Sequence, residues 1–158
     1  ISHPHYYTTM VDWSLAFDCP VYLHAADRQW VMRPHENIQF WDGETKILGD
    51  GLTLVRCGGH FEGGTVLHWR DGADGRGVLL SGDIIQVVPD RNWVSFMYSY
   101  PNLIPLPAAK VERIVAAVDP LLFDRIYGAW WDMIVVQNAK VALRRSAERY
   151  LKAISQDT

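Results

Sequence analysis

Apolar side chains recur along the first two thirds of this chain in short runs bounded by glycine, proline and aspartate, and along the last third at helical spacing. The first pattern reads as strands and the second as amphipathic helices. Val21-Tyr22-Leu23-His24 is an apolar run short enough for a buried strand. It lies between two short helical stretches, Val11 to Phe17 and Ala26 to Met32, the second stopped by Pro34. Thr9-Met10-Val11-Asp12 offers a capping-box-like start to the first of them. Ile38-Gln39-Phe40-Trp41 and Thr45-Lys46-Ile47-Leu48 flank Asp42-Gly43, which predicts a hairpin. Strands are also expected at Leu52 to Cys57, Thr65 to Trp69, Val78 to Leu80, Ile84 to Val88 and Phe123 to Tyr127. Ala108 to Val118 has Val111, Ile114, Val115 and Val118 on one face, and Met133 to Ile154 carries a stripe of Val136, Ala139, Leu143, Ala147, Tyr150 and Ile154.

Composition narrows the class. A chain of 158 residues with 49% hydrophobic content can bury a core and has the size of one domain, and no linker-like tract divides it. A formal charge of -3 leaves no basic stripe, which argues against nucleic acid or an anionic membrane as partner. No apolar run approaches a membrane span and no signal peptide is visible. Cys19 and Cys57 lack C-x-x-C spacing and are too few for a disulfide framework, so a cytoplasmic location is expected.

The candidate chemistry begins at the first residues. His3 and His5 flank Pro4, which favours an extended backbone, and imidazoles at i and i+2 of an extended segment point to one side as a pincer for a cation. The plainer alternative is two terminal histidines on a solvated arm. The chain starts at Ile1, without Met, directly ahead of the pair; a pincer at a free terminus needs a preceding segment or a partner chain to hold it. His60 follows Cys57-Gly58-Gly59 at the end of a strand, where glycines let the backbone turn sharply. Asp83 follows the apolar strand Val78 to Leu80 through Ser81-Gly82 and reads as a site residue, although turns also favour aspartate. His24, His35 and His68 read as core, loop and sheet residues, Cys57 as a small buried hydrophobe and Glu62 as a solvated loop acid. The aromatic, proline-punctuated stretch from Ser95 to Pro107 either walls a substrate pocket or packs as an ordered loop or dimer contact.

His3-x-His5, then Gly59-His60 with its glycine-rich turn and Thr65, then Leu80-Ser81-Gly82-Asp83 resemble, in order and spacing, the metal-binding motifs of the metallo-β-lactamase superfamily. The resemblance implies an α+β fold, a four-layer αββα sandwich with metal at one edge, of which residues 1–158 would be the larger C-terminal part, incomplete at the N-terminus. It also implies a metal set of His3, His5, His60 and Asp83. Tyr7 stands where the family has an aspartate, Thr8 where it has a second-metal histidine, and Gly128-Ala129-Trp130-Trp131 where it has its last histidine. A phenol and a neutral hydroxyl are poor zinc donors, so the expected centre is mononuclear, and the tryptophan pair would fill the vacated corner.

Two functions follow. The first is a metal-dependent hydrolase acting on a small ester, thioester or lactone through one divalent ion, zinc foremost, with iron or manganese as alternatives. In it Asp83 binds the ion or orients its water, and Tyr7 donates to the developing oxyanion. The second is a non-catalytic binding or assembly module with a vestigial metal site. A homo-oligomer or an upstream segment would complete the fold.

Overall fold

The computed structural model describes residues 1–155. In chain order it contains helix α1 (Met10–Phe17) and strands β1 (Val21–His24), β2 (Ile38–Trp41), β3 (Thr45–Gly49), β4 (Leu52–Arg56), β5 (Thr65–Trp69) and β6 (Val78–Gly82). These are followed by the short strands β7 (Gln86–Val87), β8 (Val94–Ser95), β9 (Met97–Ser99) and β10 (Ile104–Pro105). Helix α2 (Ala108–Val118), strands β11 (Arg125–Gly128) and β12 (Ile134–Val135) and helix α3 (Ala139–Ser155) complete it.

One six-stranded sheet runs in the order β12-β11-β6-β5-β4-β3. All its neighbours are antiparallel except β6 and β11, which pair in parallel across the connection that carries α2. The period of two in each strand sorts its side chains onto two faces. Val55, Val66, Leu79 and Ile126 turn to the helices and join Val111, Ile114 and Val118 of α2 and Leu143 of α3 in the main core. Each such side chain contributes about 1.5–3 kcal/mol when fully removed from water, and this packing fixes the helices on the sheet. On the other face, Leu54 and Leu67 share a cleft with Met10, Trp13 and Tyr22 of α1 and β1. A smaller cluster of Tyr7, Met10, Val11, Val21 and Leu23 holds those elements together. The result is the α+β, αββα-type architecture expected.

Four expectations are corrected in detail. No hairpin forms around Asp42-Gly43: β2 pairs in parallel with β1, and β3 pairs with β4, so the glycine turn joins two sheets instead of two neighbouring strands. The last helix starts at Ala139 and not at Met133, because Ile134 and Val135 pair with Tyr127 and Ile126, and Asn138 takes a left-handed φ of 57° with its N–H on Asp124 Oδ1. The strand expected from Ile84 to Val88 is reduced to Gln86–Val87. The Trp130-Trp131 pair fills no corner; Trp131 is 96% exposed. It sits on a tight turn closed by Met133 N–H to Trp130 O and Gly128 N–H to Met133 O, with Asp132 in the left-handed region.

Candidate metal centre

Three separate stretches of chain meet at one end of the sheet. The first is the N-terminal segment. Its backbone is tied down at two points, the Ile1 amino group to Tyr22 O (3.2 Å) and Thr65 N–H to Ser2 O (2.9 Å). The histidine pair is therefore anchored to β1 and β5. Nor is the pair fully extended: His3 is, but Pro4 starts a single 3-10 turn through Tyr6, for which its fixed φ is well suited. The turn still brings His3 and His5 together, with ring centroids 5.2 Å apart.

The second stretch is the loop after β4. Cys57 and Gly58 N–H both donate to Gly64 O (2.8 and 2.9 Å), pinching residues 58–64 into a closed loop with His60 at its tip. A Cβ on Gly64 would stand 2.4 Å from Gly58 O, so no other residue closes the loop this way. The third stretch is the end of β6. Gly82 has a φ of +53°, and a Cβ there would stand 2.6 Å from Ser2 Oγ, so glycine is what lets the N-terminal segment lie against the strand end beside Asp83.

His3, His5, His60 and Asp83 thus each offer one donor atom, and these four atoms lie within 4.8 Å of one another. His60 Nδ1 lies 2.9 Å from Tyr98 O. Only an N–H can bond a carbonyl, so the proton is assigned to Nδ1, and Nε2 carries a free lone pair. That Nε2 lies 3.4 Å from His5 Nδ1. His3 Nδ1 contacts Ser2 Oγ at 2.9 Å, while its Nε2 is buried with no hydrogen-bond partner among the described residues, 3.4 Å from Asp83 Oδ2. Asp83 Oδ1 is likewise buried and unpartnered. Unsatisfied buried donors and acceptors are rare because each costs about 1–3 kcal/mol. Burial and the neighbouring imidazoles lower the pKa of both His5 and His60, which favours the neutral form of each ring.

This donor set fits a divalent cation. Four ligands at about 2.0–2.1 Å around a tetrahedral centre stand about 3.3 Å from each other; two of the six donor pairs, His60 to His5 and His3 to Asp83, are 3.4 Å apart, and all lie within 4.8 Å. Neutral imidazoles and a carboxylate are the ligands zinc, iron and manganese accept.

A cleft of about 550 Å³ opens beside His5 and His60. Its walls include Trp30, Phe61, Pro101 and Leu106, and Lys110 pairs with Glu62 across it at 2.5 Å. The aromatic, proline-punctuated stretch thus does line a cavity, through Tyr98, Ser99, Pro101, Leu106 and Pro107.

The remaining candidates lie elsewhere. Tyr7 is 7% exposed, packs with Met10 and Leu23, and is not among the side chains lining the cleft; burial and nearby Asp27 push its phenol well above the ordinary range. The 3-10 turn causes this, because it directs His5 and Tyr6 outward and Tyr7 inward. Cys57 is fully buried, with burial pushing its thiol up to about 12, and stands outside the donor set. Several residues were not singled out in the sequence. Tyr98 contributes a backbone carbonyl, which any residue could supply. Tyr100 donates its hydroxyl to Asp83 O at 2.9 Å. Asp27, 1% exposed, accepts Gly63 N–H at 2.9 Å and braces the His60 loop against β1. An aspartate just past a buried strand was the available signal for Asp27, the same one that marks Asp83.

No protein-family model matches the chain. A Bacillus subtilis (strain 168) protein described as uncharacterized, YmaE, is 57% identical over 157 residues, which take in 99% of this chain. The chain spans 57% of the length of that relative. Among solved structures, the metallo-β-lactamase SMB-1, in complex with mercaptoacetic acid, superposes with a TM-score of 0.59 at 18% identity, covering 98% of this chain and 74% of its own. A motif mutant of the Cronobacter sakazakii metallo-β-lactamase gives 0.58 at 16% identity, covering 97% and 71%.

Proposed function

From a chain that has the metallo-β-lactamase fold, we propose a metal-dependent hydrolase with a single divalent ion, zinc foremost, held by His3, His5, His60 and Asp83. The observation that carries this reading is the pair of buried atoms without a hydrogen-bond partner among the described residues, His3 Nε2 and Asp83 Oδ1, inside a set of four donors that lie within 4.8 Å of one another. When bound, such an ion acidifies a water and polarises a carbonyl oxygen. The chain's own part is to hold and shield. Tyr98 O fixes the His60 tautomer, and Ser2 Oγ orients His3. Trp30, Phe61 and Leu106 offer an apolar wall to an acyl group next to His5 and His60. A small, partly apolar ester, thioester or lactone suits that cleft. Tyr7 receives no part in the chemistry, since its hydroxyl is buried away from the cleft.

A second reading, a non-catalytic module, is favoured by one observation: three imidazoles and a carboxylate already supply four protein donors, the number that closes a structural zinc site. The experiment that separates the two is elemental analysis of untagged protein purified without added metal, followed by a panel of aryl and alkyl esters, thioesters and lactones. About one equivalent of metal with turnover that chelator abolishes and metal restores is the expected result. Metal without turnover, together with a large fall in melting temperature on chelation, would favour the module. No metal, even with excess ion, would sink the hydrolase and leave the module with a vestigial site.

A further inference from the structure

The segment between β8 and α2 touches the metal centre twice. Tyr98 O accepts from His60 Nδ1 at 2.9 Å, and two residues later Tyr100 Oη donates to the backbone carbonyl of Asp83 at 2.9 Å. His60 and Asp83 come from different strands, β4 and β6, and no hydrogen bond joins them directly among the described residues. Two positions of one segment, Tyr98 within β9 and Tyr100 just past it, therefore link two of the donors. The Tyr100 ring adds a lateral contact, edge-on to His60 with centroids 5.6 Å apart. Its hydroxyl is not free to wander: the residue is half-buried, and the Asp83 carbonyl is the one partner its hydroxyl has among the described residues. The segment itself is anchored at its far end, where Tyr150 Oη accepts Leu106 N–H at 2.5 Å and donates to Leu106 O at 3.1 Å.

We propose that Tyr100 is a positioning residue of the metal centre, whose phenol holds Asp83 at the distance from His60 that a tetrahedral ion requires. The proposal rests on the metal-binding reading above. Tyr100 acts through Asp83 and touches neither substrate nor ion. Its hydroxyl grips the backbone of Asp83 and leaves both carboxylate oxygens for the site, which is where they lie unpaired or facing His3.

The test uses Co2+ as probe on the whole chain, with its dissociation constant and visible absorption as readouts. Tyr100→Phe removes the hydroxyl alone and should weaken Co2+ about 10–100-fold, the usual effect of losing a group that orients a ligand, and should alter the absorption bands. Tyr98→Phe keeps the backbone carbonyl and removes a hydroxyl from a side chain that is 57% exposed, so Co2+ affinity should stay at the wild-type value. Wild-type affinity and spectrum in Tyr100→Phe would overturn the proposal. Equal weakening in both variants would also overturn it, since the segment as a whole, and not the phenol, would then be responsible. In the metal-free protein the Asp83 carbonyl carbon resonance should move in Tyr100→Phe and stay in Tyr98→Phe; an unmoved resonance counts against the hydrogen bond itself. Failure of the metal reading looks different, because His60→Ala would then bind Co2+ as tightly as wild type.

Discussion

The six histidines of this chain divide into two groups of three that differ in what their ring nitrogens face. In His24, His35 and His68 the nitrogens meet the backbone: His24 Nε2 lies 3.0 Å from Gly43 O and its Nδ1 accepts from Ala26 N–H at 3.2 Å. His35 Nδ1 accepts from Asn37 N–H at 3.2 Å, and His68 Nε2 reaches Leu122 O at 2.8 Å. In His3, His5 and His60 one nitrogen of each ring turns toward the others and toward Asp83. A ring satisfied by amide groups is a fold residue and asks for nothing more. Where lone pairs converge on lone pairs and a carboxylate, the proposed metal reading supplies positive charge from outside the chain. The lesson is that the residue type is shared and the partner decides the role.

The strongest way to break this division is His60→Ala. It removes one of four donors and should cost more than the ~10–100-fold in metal affinity lost when an orienting neighbour is removed. Metal content measured by elemental mass spectrometry should fall from about one equivalent to near background. Unchanged content would show that the converging rings are not the site.

His68→Ala should do the opposite. It leaves metal content intact but strands a carbonyl between β5 and the turn before β11, where His68 is 7% exposed. Losing that part-buried hydrogen bond costs about 0.5–1.5 kcal/mol, which for a chain of this size lowers the melting temperature by about 1–6 °C. Thermal unfolding of the metal-free protein reads this directly. A variant that loses metal and keeps its melting temperature would exchange the two groups.

Much of this division was legible in the sequence because strand ends are local features. His60 after a glycine pair and Asp83 after Ser81-Gly82 are each placed by the strand that precedes them, and the strands at Leu52, Thr65 and Val78 formed nearly as the alternation indicated. What the sequence hid was non-local. The parallel pairing of β1 with β2 depends on partners seventeen positions apart, and the Asp42-Gly43 turn gave a hairpin signal that this pairing overrode. Ile134 and Val135 satisfy a helical stripe and a strand equally well; the left-handed Asn138 and the open edge of β11 settled it. Tyr98 acts through its backbone, which leaves no mark on residue type. The inward turn of Tyr7 follows from a single 3-10 turn that one proline permits but does not dictate.

The finest test of the comparison is His35→Ala, where almost nothing should change. The ring is half-buried in the loop after Pro34, and its one hydrogen bond among the described residues is to an amide two residues away. A bond of that kind shapes a turn, but water can replace it at the surface, so the stability change should stay within about 0.5 kcal/mol. Metal content should match wild type. Loss of metal in this variant to the extent seen in His60→Ala would mean that any imidazole on the chain serves for capture, and that the clustering of His3, His5, His60 and Asp83 selects nothing. Retention here, with loss at His60, is the contrast that ties metal to geometry instead of to histidine content.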